Sequence, residues 1–204
     1  MTAFGLYLHA RRVGLHLLCT AGLGLIAYLL GRQSLSVPSL RSTDHIRLPV
    51  GTLIPLLVAV LLAYTFTAPS AEVELSWSFP QRRFRAALVL LTVTAGVCVV
   101  STLLLTPSAY VYWQALRNFA GDFGVALAAL SLFGVGSSWA VPIIFTLAAT
   151  LLARGPDGGL ASWAWPVQPP ENAPANLIAL GLFLLGSTIM TTRGPHTEAE
   201  GEQG

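Results

Sequence analysis

Residues 123–153 carry no charged side chain, an apolar stretch of 31 residues. A helix needs about 20 apolar residues to cross a bilayer core, so this stretch is long for one crossing and short for two. The rest of the chain follows the same theme. Of its 204 residues 54% are hydrophobic and only 10% charged, with a mean hydropathy of +0.68. Soluble domains carry about 25% charged residues, so the composition excludes a soluble globular protein and a disordered one. The expected fold class is all-α, a polytopic transmembrane helical bundle forming one domain over residues 1–192. A polar, acidic tail, expected to be disordered, follows at 193–204.

Within the long apolar stretch, Gly134-Val135-Gly136-Ser137-Ser138 and then Pro142 mark a helix end and a new helix start. Splitting there places spans at about 113–133 and 138–154, with Ser137 or Ser138 as N-cap. The other spans fall at about 13–31, 50–68, 86–105 and 175–192. The total is six, with both termini on one side; leaving 123–153 unsplit gives five. Residues 32–48 read as an exposed loop. Residues 155–174, rich in Gly, Pro and Trp, read as a loop lying on or dipping into the membrane surface. The first apolar run, at 19 residues, exceeds the ~7–15 of a signal-peptide core, and no small-x-small cleavage site follows it. It therefore reads as an uncleaved span.

Six arginines fall on the side of the termini and five on the other, too even for the positive-inside rule. The tight pairs Arg11-Arg12 and Arg82-Arg83 favour cytoplasmic termini in a plasma membrane. All eleven basic residues are arginine. Without lysine the chain has neither the phosphate-binding lysine of a P-loop nor a Schiff-base nucleophile. A net charge of +2 is too small for a nucleic-acid footprint. Cys19 and Cys98 read as buried small hydrophobes. The four histidines lack metal-site spacing, and no Gly-x-Ser-x-Gly or paired intramembrane acids occur. The expectation is a chain without enzymatic chemistry, metal or cofactor.

Two stretches hold the candidate functional residues. On the fourth span, Gly121, Gly124, Ala128 and Ser131 recur at spacings of three and four. Such a seam of small residues lets membrane helices approach closely. It reads either as packing inside one subunit or as a subunit interface or translocation surface. Arg117 lies on the same seam, and splitting 123–153 draws Arg117, Asn118 and Asp122 into or near the bilayer, where charges face protein or water. Arg117 and Asp122 are about 140° apart around a helix and do not form a natural pair. Tyr110, Tyr112, Trp113 and Arg117 can equally form an interfacial belt. The second stretch, 71–85, has acids first, aromatics in the middle and arginines last. Such an element can lie along a membrane surface and meet a partner.

Six spans, a Glu-rich then Phe-Pro-x-Arg-Arg connection after span two, and a surface loop before span six resemble the ABC-2 type transporter permeases. The Arg117-Asn118 start of span four, Trp163-Ala164-Trp165-Pro166 and the closing Arg193-Gly194-Pro195 are similar to small actinobacterial integral membrane subunits of ABC transporters. The resemblance implies a permease subunit of an exporter, with ATP hydrolysed by a separate P-loop ATPase. That partner would dock on 72–85, with Glu72, Glu74, Trp77, Phe79, Arg82 and Arg83 as contacts. A second permease copy or related membrane subunit is implied as well. The chain departs from the family in its short length and in an N-terminal helix reduced to residues 2–10. The alternative is a non-transporting scaffold or accessory subunit associating through the span-four seam.

Overall fold

The computed structural model describes residues 3–31, 33–38, 40, 45–67, 81–105, 109–154 and 159–196. Seven helices account for most of them: α1 (Ala3–Ala10), α2 (Val13–Leu30), α3 (Ile54–Ala63), α4 (Gln81–Ser101), α5 (Ala109–Phe133), α6 (Val135–Leu152) and α7 (Ala173–Arg193). Among the described residues, five helical segments are long and apolar enough to cross a membrane: Val13–Leu30, Gln81–Leu105, Tyr110–Phe133, Val135–Leu152 and Ala173–Arg193. The chain is therefore a helical membrane bundle. A shorter apolar segment, Val50–Phe66, contains α3 between two 3₁₀ turns.

Helix α5 is the axis. About 67% of its span is buried, against 22% to 28% for the other four. Its core face carries Ala115, Phe119, Phe123, Ala126, Leu127 and Leu130, which pack with Val58, Ala59, Leu62 and Phe66 of the α3 segment. The other helices turn apolar side chains outward, among them Leu18, Leu25 and Leu29 of α2 and Leu177 and Leu184 of α7. In water these faces would be costly; against lipid chains they are not. Hydroxyls bond back into their own helices, as in Thr20 to His16 O, Thr92 to Leu88 O and Thr150 to Thr146 O. No polar atom of these side chains is then left facing hydrocarbon.

Several sequence expectations shift. The break between spans four and five sits at Gly134, with φ +86, and α6 begins at Val135 rather than Ser138. The reason is conformational: the chain reverses direction in one residue, and only glycine takes that backbone without strain. Ser138 instead donates to Val135 O at 2.7 Å, inside the first turn. Helix α5 begins at Ala109, a full turn before Trp113. The expected loop at 32–48 contains an antiparallel hairpin, β1 (Ser34–Pro38) against β2 (His45–Pro49), so the fold is not purely helical. The alternation Ser34-Leu35-Ser36-Val37 suits a strand. Cys19 and Cys98 are exposed on the bundle surface rather than buried. An apolar outer face accepts a thiol as readily as a core does.

Candidate functional site

The polar residues of α5 fall at positions 114, 117 and 118, one helical turn apart, and so share a face. That face meets the loop 159–172. The loop contains Pro166, Pro169 and Pro170, which have no N–H to offer. The turn Trp165–Val167 is short and buried. The turn closes Trp165 O itself, through Gln168 N at 3.3 Å, while Pro166 O and the following Gln168 O and Pro169 O take donors from α5. Gln114 Nε2 donates to Pro166 O (3.3 Å) and Gln168 O (3.2 Å). Arg117 Nη1 donates to Pro169 O at 2.9 Å, and Nη2 donates to Gln168 O at 2.8 Å and Pro166 O at 3.3 Å. Asn118 Nδ2 donates to Pro166 O (2.9 Å) and Thr52 O (3.3 Å). Its Oδ1 accepts from Arg117 Nε (3.3 Å) and Nη2 (3.2 Å). Asn118 thus links the loop, α5 and the turn before α3.

Two further loop residues finish the structure. Gln168 Nε2 donates back to Ala161 O at 2.9 Å. Asn172 caps α7 by accepting from Ala175 N at 3.0 Å, and its amide nitrogen donates to Gln168 Oε1 at 3.2 Å. Sequence reasoning missed Gln114, Gln168 and Asn172. The capping position of Asn172 before Ala173-Pro174 was a readable signal; Gln114 depends on contacts some fifty residues away, and Gln168 on the irregular fold of the loop itself.

Asp122 lies one turn beyond Asn118, near the middle of α5, and is 2% exposed. Thr146 Oγ1 of α6 donates to its Oδ1 at 3.4 Å. Every hydrogen bond of Arg117 goes to an uncharged oxygen and none to Asp122, as their angular separation requires. Of the aromatic belt, Tyr110 and Trp113 face outward while Tyr112 is buried.

The small-residue seam is occupied within the chain. Gly121 lies under the ring of Trp165, and Gly124 meets the backbone of Leu182 and Phe183. Gly186 of α7 in turn abuts the carbonyl of Gly124. Ser131 Oγ points to Met190 Sδ at 3.8 Å. Ala128 is half-buried.

At the opposite end of the bundle, Arg12 adopts the left-handed conformation (φ 50) between α1 and α2. Arg11 is turned inward, donating to Phe66 O and lying over the Tyr7 ring, 4.6 Å from its centroid. Tyr7 and Phe4 pack on Phe84 of α4, at 5.4 Å and 5.5 Å. Arg85 donates to Gln81 Oε1 at 3.0 Å, and its guanidinium lies against Gly194 after α7. Burial lowers the pKa of Arg11 and raises that of Tyr7, each countered in part by the other. This cluster was not anticipated as a unit. Arg82 and Arg83 are exposed in the first turn of α4, whereas Glu72, Glu74, Trp77 and Phe79 lie outside the described residues.

Among the described residues, no group of three or more His, Cys, Asp or Glu side chains could hold a metal ion. No protein-family model, curated protein or solved structure matches the chain.

Proposed function

We propose that this chain is the membrane-spanning permease subunit of an ABC transporter of the exporter type, driven by a separate ATPase that docks on residues 72–85. The observation that carries the reading is the clamp around that connection. Arg11 holds Phe66 near the connection's start, and Tyr7, Phe4 and Arg85 hold the first turn of α4 at its end. Arg85 also touches the chain after α7. A partner pressing on the connection would push on α1, α3, α4 and α7 together. That is what coupling a hydrolysis cycle to helix rocking requires. The exposed Arg82 and Arg83 are available to acidic groups on the partner.

In this reading the bundle crosses a plasma membrane six times with cytoplasmic termini. Val50–Phe66, with its 3₁₀ ends, would reach about 28 Å, close to the ~30 Å core. The scaffold alternative relied on the span-four seam, and the covering of Gly121 and Gly124 inside the chain leaves it little surface.

The test is purification from native membrane in mild detergent, with mass spectrometry of what accompanies the chain. A stoichiometric P-loop ATPase is expected. Trp77→Ala with Phe79→Ala should then leave hydrolysis running without transport. The chain purifying alone, or an unaltered coupling ratio in that variant, would overturn the reading.

A further inference from the structure

A cleft of about 540 Å³ opens between α5 and α7 at the end that carries the 159–172 loop. Both helices run inward from this end, so position along them measures depth. Glu171 lies just before the start of α7. Arg117 lies about 12 Å along α5 from its start. Ala120, Ala179 and Leu180 form the deeper, apolar wall. The rings of Tyr110 and Trp113, 46% and 58% exposed, stand at the rim. Aromatic rings with one polar edge favour the headgroup level of a bilayer.

The charges of the cleft are two and opposite. Arg117 is 7% exposed, and all its partners are neutral oxygens, so its positive charge is not cancelled by a contacting acid. A guanidinium has five N–H donors. Nη1 has two of them and makes a single bond, to Pro169 O, so one donor remains for a ligand. Glu171 is the acidic side chain lining the rim. A buried cation alone would select an anionic lipid; a carboxylate outside it opposes that choice and matches an amine.

We propose that this cleft holds one zwitterionic phospholipid of the surrounding bilayer. Its phosphate accepts from Arg117, its amine lies at Glu171, and the upper acyl chain runs over Ala120 and Leu180. The cleft's volume falls in the usual range for a small-ligand site and suits a headgroup with the first carbons of its chains. The inference needs only the membrane bundle and does not rest on the transport reading.

The experiment places the full-length chain in vesicles of equal phosphatidylethanolamine and phosphatidylglycerol with matched chains. The protein is then extracted in mild detergent and weighed by native mass spectrometry. One phosphatidylethanolamine retained per chain is expected, preferred by roughly tenfold, the effect of one charge-assisted contact. Glu171→Gln should abolish that preference, and Ala120→Phe should remove the retained lipid. Soluble glycerophosphoethanolamine, the same head without acyl chains, should not compete. No retained lipid, a preference for phosphatidylglycerol, or full competition by the soluble head would overturn the proposal. So would an Ala120→Phe variant that still holds its lipid. Glu171 is exposed, so its variant keeps the fold; an unchanged preference there is decisive even if Ala120→Phe does not assemble.

Discussion

Gly186 of α7 abuts the carbonyl of Gly124 of α5, so the two helices touch backbone to backbone. Any Cβ at either position would overlap main-chain atoms that cannot swing aside. Helices in lipid gain little from hydrophobic burial against one another, and close backbone approach supplies dispersion contact instead. Gly124→Ala and Gly186→Ala should each cost about 3 kcal/mol, the upper range for overpacking. Gly181→Ala, on the same helix but facing open space, should be neutral or slightly stabilising. Thermal unfolding in detergent checks all three, and equal behaviour of Gly181→Ala and Gly186→Ala would refute the contact.

Arg117 donates to Pro169 O, which Asn172 N also reaches at 3.1 Å, and shares Pro166 O and Gln168 O with its neighbours on α5. Arg117→Ala removes three charge-assisted hydrogen bonds to loop carbonyls, each of which keeps at least one weaker neutral donor, and should cost about 1.5–3 kcal/mol. Hydrogen exchange at 159–172 should accelerate while the rest of α5 stays protected. Arg117→Lys should recover only part of the loss, because a point charge cannot reproduce the planar fork.

Trp165 is 1% exposed and its ring covers Gly121. Trp165→Ala should cost about 3–5 kcal/mol as a large-to-small change. Gly121→Ala should be destabilising in the wild type but milder in a Trp165→Leu background, where the ring is gone. A double-mutant cycle reads this as a coupling of about 1 kcal/mol or more. Strict additivity would mean that the two residues do not meet.

Tyr7 predicts the alkaline behaviour of the arginine-rich end. Burial raises its phenol above the ordinary value of 10. The unfolded chain therefore loses the proton first, and stability present below pH 10 should fall as pH rises through the native value. Arg11 is shifted down by burial and acts with the opposite sign in the alkaline range. The difference between wild type and Tyr7→Phe isolates the tyrosine: the gap should narrow or reverse above pH 10. Tyrosinate absorbance against pH, with and without Tyr7, gives the native titration directly.

The five long apolar runs were legible because hydrophobic length is a local property. A bilayer demands about 20 apolar residues of every crossing helix, and each run announces itself without reference to any other. The break near Gly134 was visible for the same reason, although its position moved by a few residues because positive φ, and not the following serines, sets it. The hairpin of β1 and β2 was not visible, since its two strands are short and their pairing is a relation between segments.

Read residue by residue, the chain is already a helical membrane protein without lysine chemistry, and residues 117–124 already combine charge with small side chains. What those residues face was left open. That the glycine seam packs on α7 and Trp165, and that Gln114, Arg117 and Asn118 together hold a proline-rich loop by its carbonyls, emerges from the packing alone. The same packing drew Arg11, Tyr7 and Arg85 from separate segments into one cluster. The physical reason is common to all three. Hydropathy is carried by each residue alone, whereas the partner of a buried donor or a bare glycine lies dozens of residues away. Nothing in the neighbouring sequence encodes which partner the packing will bring.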